Sequence, residues 1–315
     1  MLKLIGYRLL LAVPQLAIVS LLVFSLVYLI PGSAAAAILG DAASSPEEIA
    51  RVEAQLGLDR PFLVRLVDWY AHALQGDLGT SLIYAQPVTD MIAQRMPATL
   101  SLVFGGLVVA VVVGMGLGLF AGVKAGQARD RAVTGFTAFV QSVPEFWLGQ
   151  ILVVVFVIQL KVAPVLAWTP PSQDVGKWLA GLLLPALALG FGTAALIARQ
   201  TRTAVADSLS SRYIDTLTAA GVSRRRIVWT YALKNSLVPA LAAIGLAVGV
   251  LFGVSLVMER VFSFPGLGTL MLGSVLSKDF PVVQGIALVI GVVVIVVNAV
   301  LDISYGLINP KARPS

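Results

Sequence analysis

Residues 98–123 read ATLSLVFGGLVVAVVVGMGLGLFAGV, without one charged side chain. A hydrocarbon layer about 30 Å thick is crossed by about 20 helical residues, each rising about 1.5 Å. This stretch is long enough to cross. Four other uncharged runs share its character: Leu9–Ile30, Trp178–Ala198, Leu237–Met258 and Val282–Leu301. A sixth, Ala132–Leu160, carries a single charge, Glu145. The 315 residues are 58% apolar and 12% charged, against about 25% charged in a soluble domain. A water-facing surface is hard to build from so few charges. The reading is an all-α integral membrane protein with six transmembrane helices.

An even number of spans puts both termini on one side, and the basic residues say which. Inner segments hold fourteen of the 22 Lys and Arg against three acids, Asp130, Asp207 and Asp215. Outer segments hold eight basic residues and eleven acids. The positive-inside rule therefore makes both termini cytoplasmic. It also accounts for the net charge of +6 without a nucleic-acid partner. Lys3 and Arg8 before an apolar run resemble a secretion signal, but such a signal has an apolar region of about 7–15 residues. The run here is longer, so it is expected to stay as the first span. With no cysteine and one histidine, His72, disulfides, thiol chemistry and a histidine-based metal site are not expected.

The long outer segment, 31–97, carries helix signals. Ser45 stands as an N-cap before Pro46, Glu48 completes a capping box, and Gly57 marks a stop. A second helix begins near Pro61. Its Phe62, Leu63, Leu66, Val67, Tyr70 and Leu74 follow helical spacing, and Gly76 ends it. These extracytoplasmic helices suit the outer membrane face, a partner protein, or the chain's own spans.

Two spans carry glycines at every fourth position: Gly114, Gly118 and Gly122, then Gly245, Gly249 and Gly253. Such a ladder makes a flat helix face on which another backbone can lie closely. Packing within the chain and packing against a second subunit both fit. Glu145, in the middle of a span and preceded by Pro144, is costly in hydrocarbon. It either lines a polar pathway or is a local carboxylate, hydrogen-bonded or at the membrane interface. Pro144 is expected to kink its helix.

The largest inner loop, 199–236, and the first residues of the next span together hold DTLTAAGVSRRRIVWTYALKNSLVP, Asp215–Pro239. Gly221 allows a positive-φ turn and Ser223 can cap a second helix. In that helix Ile227, Val228, Tyr231 and Ala232 share a face, and Pro239 is expected to open the next span. Arg224, Arg225 and Arg226 fall in its first turn, where cations oppose the helix dipole. An anionic partner is needed there: lipid headgroups, Asp215, or an acidic protein surface.

An acid six positions before a glycine, here Asp215 and Gly221, resembles the EAA loop of ABC importer membrane subunits. LGLDRPFLVRLVDWYAHALQGDLGTSL, RMPATLSL, SVPEFWLGQILVVVF, MERVFSFPGLGTLMLGSVLSKDFPVVQG and DISYGLINPKAR follow in order through the chain. Together they are similar to the dipeptide/oligopeptide/nickel permease family, in its B-type subunit. IPGSA stands where the family often has LPGDP, and Leu217, Thr218 and Ala220 depart from its common loop residues.

The resemblance implies a type I ABC permease architecture. Residues 1–30 are the cytoplasmic N-terminus and first span, and 31–97 the extracytoplasmic helical segment. Residues 98–307 are the core, with spans 98–123, 132–160, 178–198, 237–258 and 282–301 and coupling loop 199–236. Residues 308–315 form a cytoplasmic tail. The coupling loop implies Asp215, Ala219, Ala220, Gly221, Ser223, Arg224, Arg225 and Arg226 as contacts to an ATPase. Implied partners are a second homologous permease subunit, two cytoplasmic ABC ATPase subunits, an extracytoplasmic binding protein and membrane lipid, in a prokaryotic inner membrane. The chain has no G-x-x-x-x-G-K-[ST] phosphate loop. No cofactor is expected on it, and ATP and Mg belong to the ATPase subunits. The alternative is a secondary transporter or channel, which commonly shows inverted repeats; none is evident. A membrane hydrolase would need paired catalytic groups at membrane depth, where only Glu145 is ionisable.

Overall fold

The computed structural model describes residues 2–29, 45–55, 59–164 and 168–308. Expectations for residues 30–34, for the Glu48 side chain, for Gly57 and for residues 309–315 lie outside the described residues. Among the described residues every regular element is a helix: α1 Leu2–Leu29, α2 Pro46–Gln55, α3 Phe62–Leu74, α4 Val88–Gly122, α5 Ala128–Ser142, α6 Glu145–Gln159, α7 Val175–Leu209, α8 Arg212–Ala219, α9 Arg224–Val261, α10 Leu267–Leu276 and α11 Phe280–Ile308. Helices α4, α7, α9 and the Phe280–Leu301 part of α11 are long and apolar enough to cross a membrane. The pair α5 and α6 qualifies as a fifth if its two bent halves are one span. Helix α1 is 28 residues long, and Leu10–Ser25 is its apolar stretch among the described residues.

The expected span 132–160 is not one helix. Its halves meet at 90°, more than a kink. Val143 (φ −98°, ψ 122°) and Pro144 (φ −59°, ψ 133°) are both extended. A residue before proline is pushed out of the α region, and proline itself donates no hydrogen bond. Helix α6 then restarts on the Pro144 carbonyl, which accepts from Trp147 and Leu148 N–H at 3.0 and 3.2 Å. A second difference lies at Pro239. It sits inside α9, which runs unbroken from Arg224 through a wider π-type stretch, Ile227–Ala232. The span and the helix after Gly221 are therefore one rod.

The chain divides into two compact units. The first holds Ala98–Pro265 and both chain ends. Its core is made by small and branched side chains: Ala110, Ile197, Ala243, Ile244 and Ala247, with Met115 and Leu301 against them. Helix α7 is the most enclosed of the candidate spans.

The second unit holds Gly6–Pro97 and Gly266–Ile295. Leu78, Val88, Met91, Ile92, Leu267, Leu270, Val282 and Ile286 form its core. Asp279, fully buried just before α11, accepts the Ser81 hydroxyl at 2.5 Å and the Leu82 N–H at 3.1 Å. A buried carboxylate is tolerated only when hydrogen-bonded, so this one pins the loop after α3. Ser45 immediately precedes α2 and Pro61 immediately precedes α3, while Gly76 closes α3 with φ 84°.

Candidate functional site: the exposed helix–glycine–helix turn

Helix α7 runs to Leu209, well beyond residue 198, and the chain then reverses through α8 into α9. The stop after α8 is built by backbone geometry. Gly221 N–H donates to the Thr218 carbonyl and Val222 N–H to the Leu217 carbonyl, both at 3.0 Å. This is a Schellman closure, which needs a left-handed residue after the cap. Gly221 supplies it, with φ 76°. Ser223 occupies the N-cap position of α9 in extended conformation, but its side chain makes no capping hydrogen bond. Only its carbonyl acts, accepting from Ile227 N–H at 3.0 Å.

One clasp holds this turn. The Tyr213 hydroxyl lies 2.6 Å from Ser208 Oγ at the end of α7 and accepts from Asn235 Nδ2 at 2.9 Å, in α9. Ile214, Ile227, Val228 and Ala232 are buried beneath and Tyr231 is half-buried, so the expected apolar stripe faces the protein. Asp215, Ala219, Ala220, Gly221, Ser223, Arg224, Arg225 and Arg226 are all exposed. Asp215 does not pair with the arginines: among the described residues no ion pair reaches it or them. Trp229 joins this surface, 59% exposed. With Ser223, Arg225, Arg226 and Thr230 it frames an open groove of about 570 Å³. The arrangement is an exposed, cationic knob with small residues at its tip.

Behind the knob α7 is fixed by a pair that charge counting did not single out. Asp130 is nearly buried and takes a two-pronged contact from Arg202, Nε at 2.8 Å and Nη2 at 2.5 Å. Gly126 N–H donates to the same carboxylate at 2.7 Å. Asp130 precedes the expected start of its span at 132. The Arg202 hydrogen bond, opposed by burial, holds its pKa down at about 2. The sequence signal was there in outline: an acid inside a basic inner loop.

The first glycine ladder abuts the same helix. A Cβ on Gly114, Gly118 or Gly122 would lie 2.7, 2.6 or 2.8 Å from the carbonyls of Ala194, Ala198 and Arg202. Gly106 and Gly190 repeat the close approach. The second ladder differs. Gly245 faces Asn298, while Gly249 and Gly253 meet nothing within 4 Å.

Glu145 opens α6, half-buried, with its side chain over Gly192 of α7; a Cβ there would fall 2.8 Å from Glu145 Cγ. Among the described residues no hydrogen bond or ion pair reaches it. The sequence reading passed over a second acid in the same unit. Glu259 is fully buried and accepts from Thr99 Oγ1 at 2.6 Å. Next to Arg260 and just past an uncharged run, it reads as a surface charge.

Comparison with known proteins decides what such a chain is. Residues 114–314 match the family described as binding-protein-dependent transport system inner membrane component, and residues 1–103 match its N-terminal companion. The chain belongs to this family. It is a permease subunit of an ABC importer. The glutathione transport system permease protein GsiC of Salmonella typhimurium is 39% identical over 318 residues, 99% of each chain. A Brucella abortus protein named as a peptide transport system permease is 36% identical over 302 residues, 96% of each chain. Helices and family together make the permease a multi-pass protein of a prokaryotic inner membrane, in a system whose ATPase activity lies in separate subunits.

Proposed function

We propose that this permease forms half of the pathway through which peptides or related small solutes are imported at the expense of ATP. Six spans follow from the apolar runs, α1 and the α5–α6 pair supplying the first and third, and the charge count puts both termini in the cytoplasm. A homologous permease completes the pathway, two cytoplasmic ATPase subunits drive it, and an extracytoplasmic binding protein delivers cargo. ATP and Mg act on the ATPase subunits. The observation that carries the reading is the exposed knob from Asp215 to Arg226. Its tip, Ala219–Ala220–Gly221, is small enough to enter a groove, and its arginines are free to meet an acidic surface. Because α9 is one rod from Arg224 to Val261, a push on the knob reaches membrane depth without a joint. Closure of the ATPases would rock these helices between inward- and outward-facing states. Glu145, with no counter-ion among the described residues, is the pathway's candidate contact for a cationic group on the cargo.

The test is coupling in proteoliposomes holding the whole transporter. Proline cannot adopt the φ of Gly221 or donate its hydrogen bond, so Gly221→Pro should separate ATP hydrolysis from uptake. Replacing Arg224, Arg225 and Arg226 by Glu should do the same, with the protein still inserted. Normal uptake by both variants, or uptake without ATP, overturns the reading.

A further inference from the structure

Helix α3 has three faces, and among the described residues only one is covered by protein. At about 100° per residue, Phe62, Trp69 and Ala73 fall in one sector. Asp68, His72 and Gln75 fall in a second, and Leu63, Val67 and Leu74 in a third. The first sector packs on α1: the Phe24 ring meets Phe62 at 5.5 Å and Trp69 at 5.8 Å. At its edge the Tyr70 hydroxyl reaches Ser20 Oγ at 2.5 Å. The second is polar and exposed, and Asp68 pairs there with Arg60 at 3.4 Å. The third is apolar and still open, with Leu63 70%, Val67 65% and Leu74 87% exposed.

Depth tells what covers that third face. Counting about 1.5 Å per residue from Leu9, Ser20 and Phe24 lie about 16 and 22 Å into a layer about 30 Å thick. With the N-terminus inside, Phe24 is about 8 Å below the outer boundary, the depth at which interfacial helices sink their apolar side, about 5–10 Å. On α1 itself Leu10, Val13, Ile18 and Leu22 are likewise exposed. We infer that α3 lies in the plane of the outer leaflet, with Leu63, Val67 and Leu74 among lipid acyl chains and Asp68 and His72 toward the headgroups. This rests on the topology proposed above. Arg65, whose guanidinium lies 5.8 Å from the Phe24 ring, links the packed sector to the polar edge, as a snorkelling side chain does. The permease thus carries a lipid-anchored brace beside its first span.

The chain has no cysteine, so single cysteines report cleanly. Val67→Cys, Leu74→Cys, Asp68→Cys and His72→Cys are made in the full chain, in right-side-out vesicles of phosphatidylethanolamine and phosphatidylglycerol without binding protein. A membrane-impermeant maleimide should label positions 67 and 74 roughly tenfold more slowly than 68 and 72, since acyl chains exclude a charged reagent. Nitroxides at 67 and 74 should relax more with oxygen than with a water-soluble nickel chelate. Equal labelling at all four positions overturns the proposal. So does equal labelling that becomes protection only when binding protein is added, which makes the occupant a protein. Slow labelling with neither relaxant effective also overturns it, since the face is then buried in protein. A fifth variant, Thr216→Cys, checks the topology: labelling from outside would sink the orientation, whatever α3 does.

Discussion

Two glycine ladders of the same spacing meet opposite fates. Gly114, Gly118 and Gly122 of α4 lie against the backbone of α7, where no side chain fits. Gly249 and Gly253 of α9 lie open, with Leu246, Val250 and Val257 exposed around them. Spacing sets the shape of a helix face. It does not say what lies on that face, because the partner comes from the register of a distant helix. The first ladder belongs to the fold of this chain. The second is left for another surface at membrane depth, lipid or the homologous permease proposed above.

The comparison breaks most visibly at Gly118. A methyl there would stand 2.6 Å from both the Ala198 carbonyl and Thr201 Cβ, so α4 and α7 must separate along their length. Overpacking a tight core costs about 1–3 kcal/mol, and backbone has less room to give than a side chain. Gly118→Val is expected at the top of that range or beyond, read as a loss of monodisperse protein in detergent. Gly253→Val should leave that readout unchanged. Equal losses would mean the two ladders do not differ.

The sequence made the first ladder legible as a face but not as a contact. The same holds for the knob. Gly221 and its positive φ follow from one residue's permissiveness, and the apolar stripe Ile227, Val228 and Ala232 from helical spacing. Four of the apolar runs were equally plain as helices long enough to cross a membrane, since the bilayer thickness fixes that length. What escaped was set by long-range pairing: Tyr213 with Ser208 and Asn235, Asp279 with Ser81, Glu259 with Thr99. In each the partners are distant in sequence or on separate helices, and no local pattern marks an acid as buried. The break at Pro144 was legible as a kink, but its size was not, because Val143 turns extended as well.

The ladder that is closed by α7 also ends on its ion pair, since Gly122 faces the Arg202 carbonyl. Removing one partner of a buried pair costs about 3–5 kcal/mol; Arg202 is a third exposed, so screening lowers the expected loss in Arg202→Met to about 2 kcal/mol. The sign with pH is fixed by Asp130. Its folded pKa, about 2, lies below the ordinary 3.8, so its contribution is present above about pH 4 and is lost as pH falls through 2. Wild type and Arg202→Met should therefore differ in thermal midpoint at pH 7 and pH 5, and converge toward pH 2. A gap that persists at pH 2 would assign the loss to packing of the Arg202 stem.

The smallest effect on the chain itself is expected at the open ladder, and it sharpens the comparison most. Gly249→Ala and Gly253→Ala add methyls to empty space, and alanine is favoured over glycine in a helix by up to about 1 kcal/mol. The isolated permease should be as stable as before, or slightly more. If the homologous subunit lies on this face, larger side chains there should lower the yield of intact transporter. Gly249→Leu with Gly253→Leu should then purify as a stable chain with less of its partner permease. If acyl chains cover it, partner yield should not change, because lipid yields to a leucine as readily as to a glycine. The measurement is the ratio of the two permeases after affinity purification on this chain, compared with Gly118→Val, whose loss should fall on both subunits together. A stable double variant with an unaltered ratio would give the second ladder to lipid.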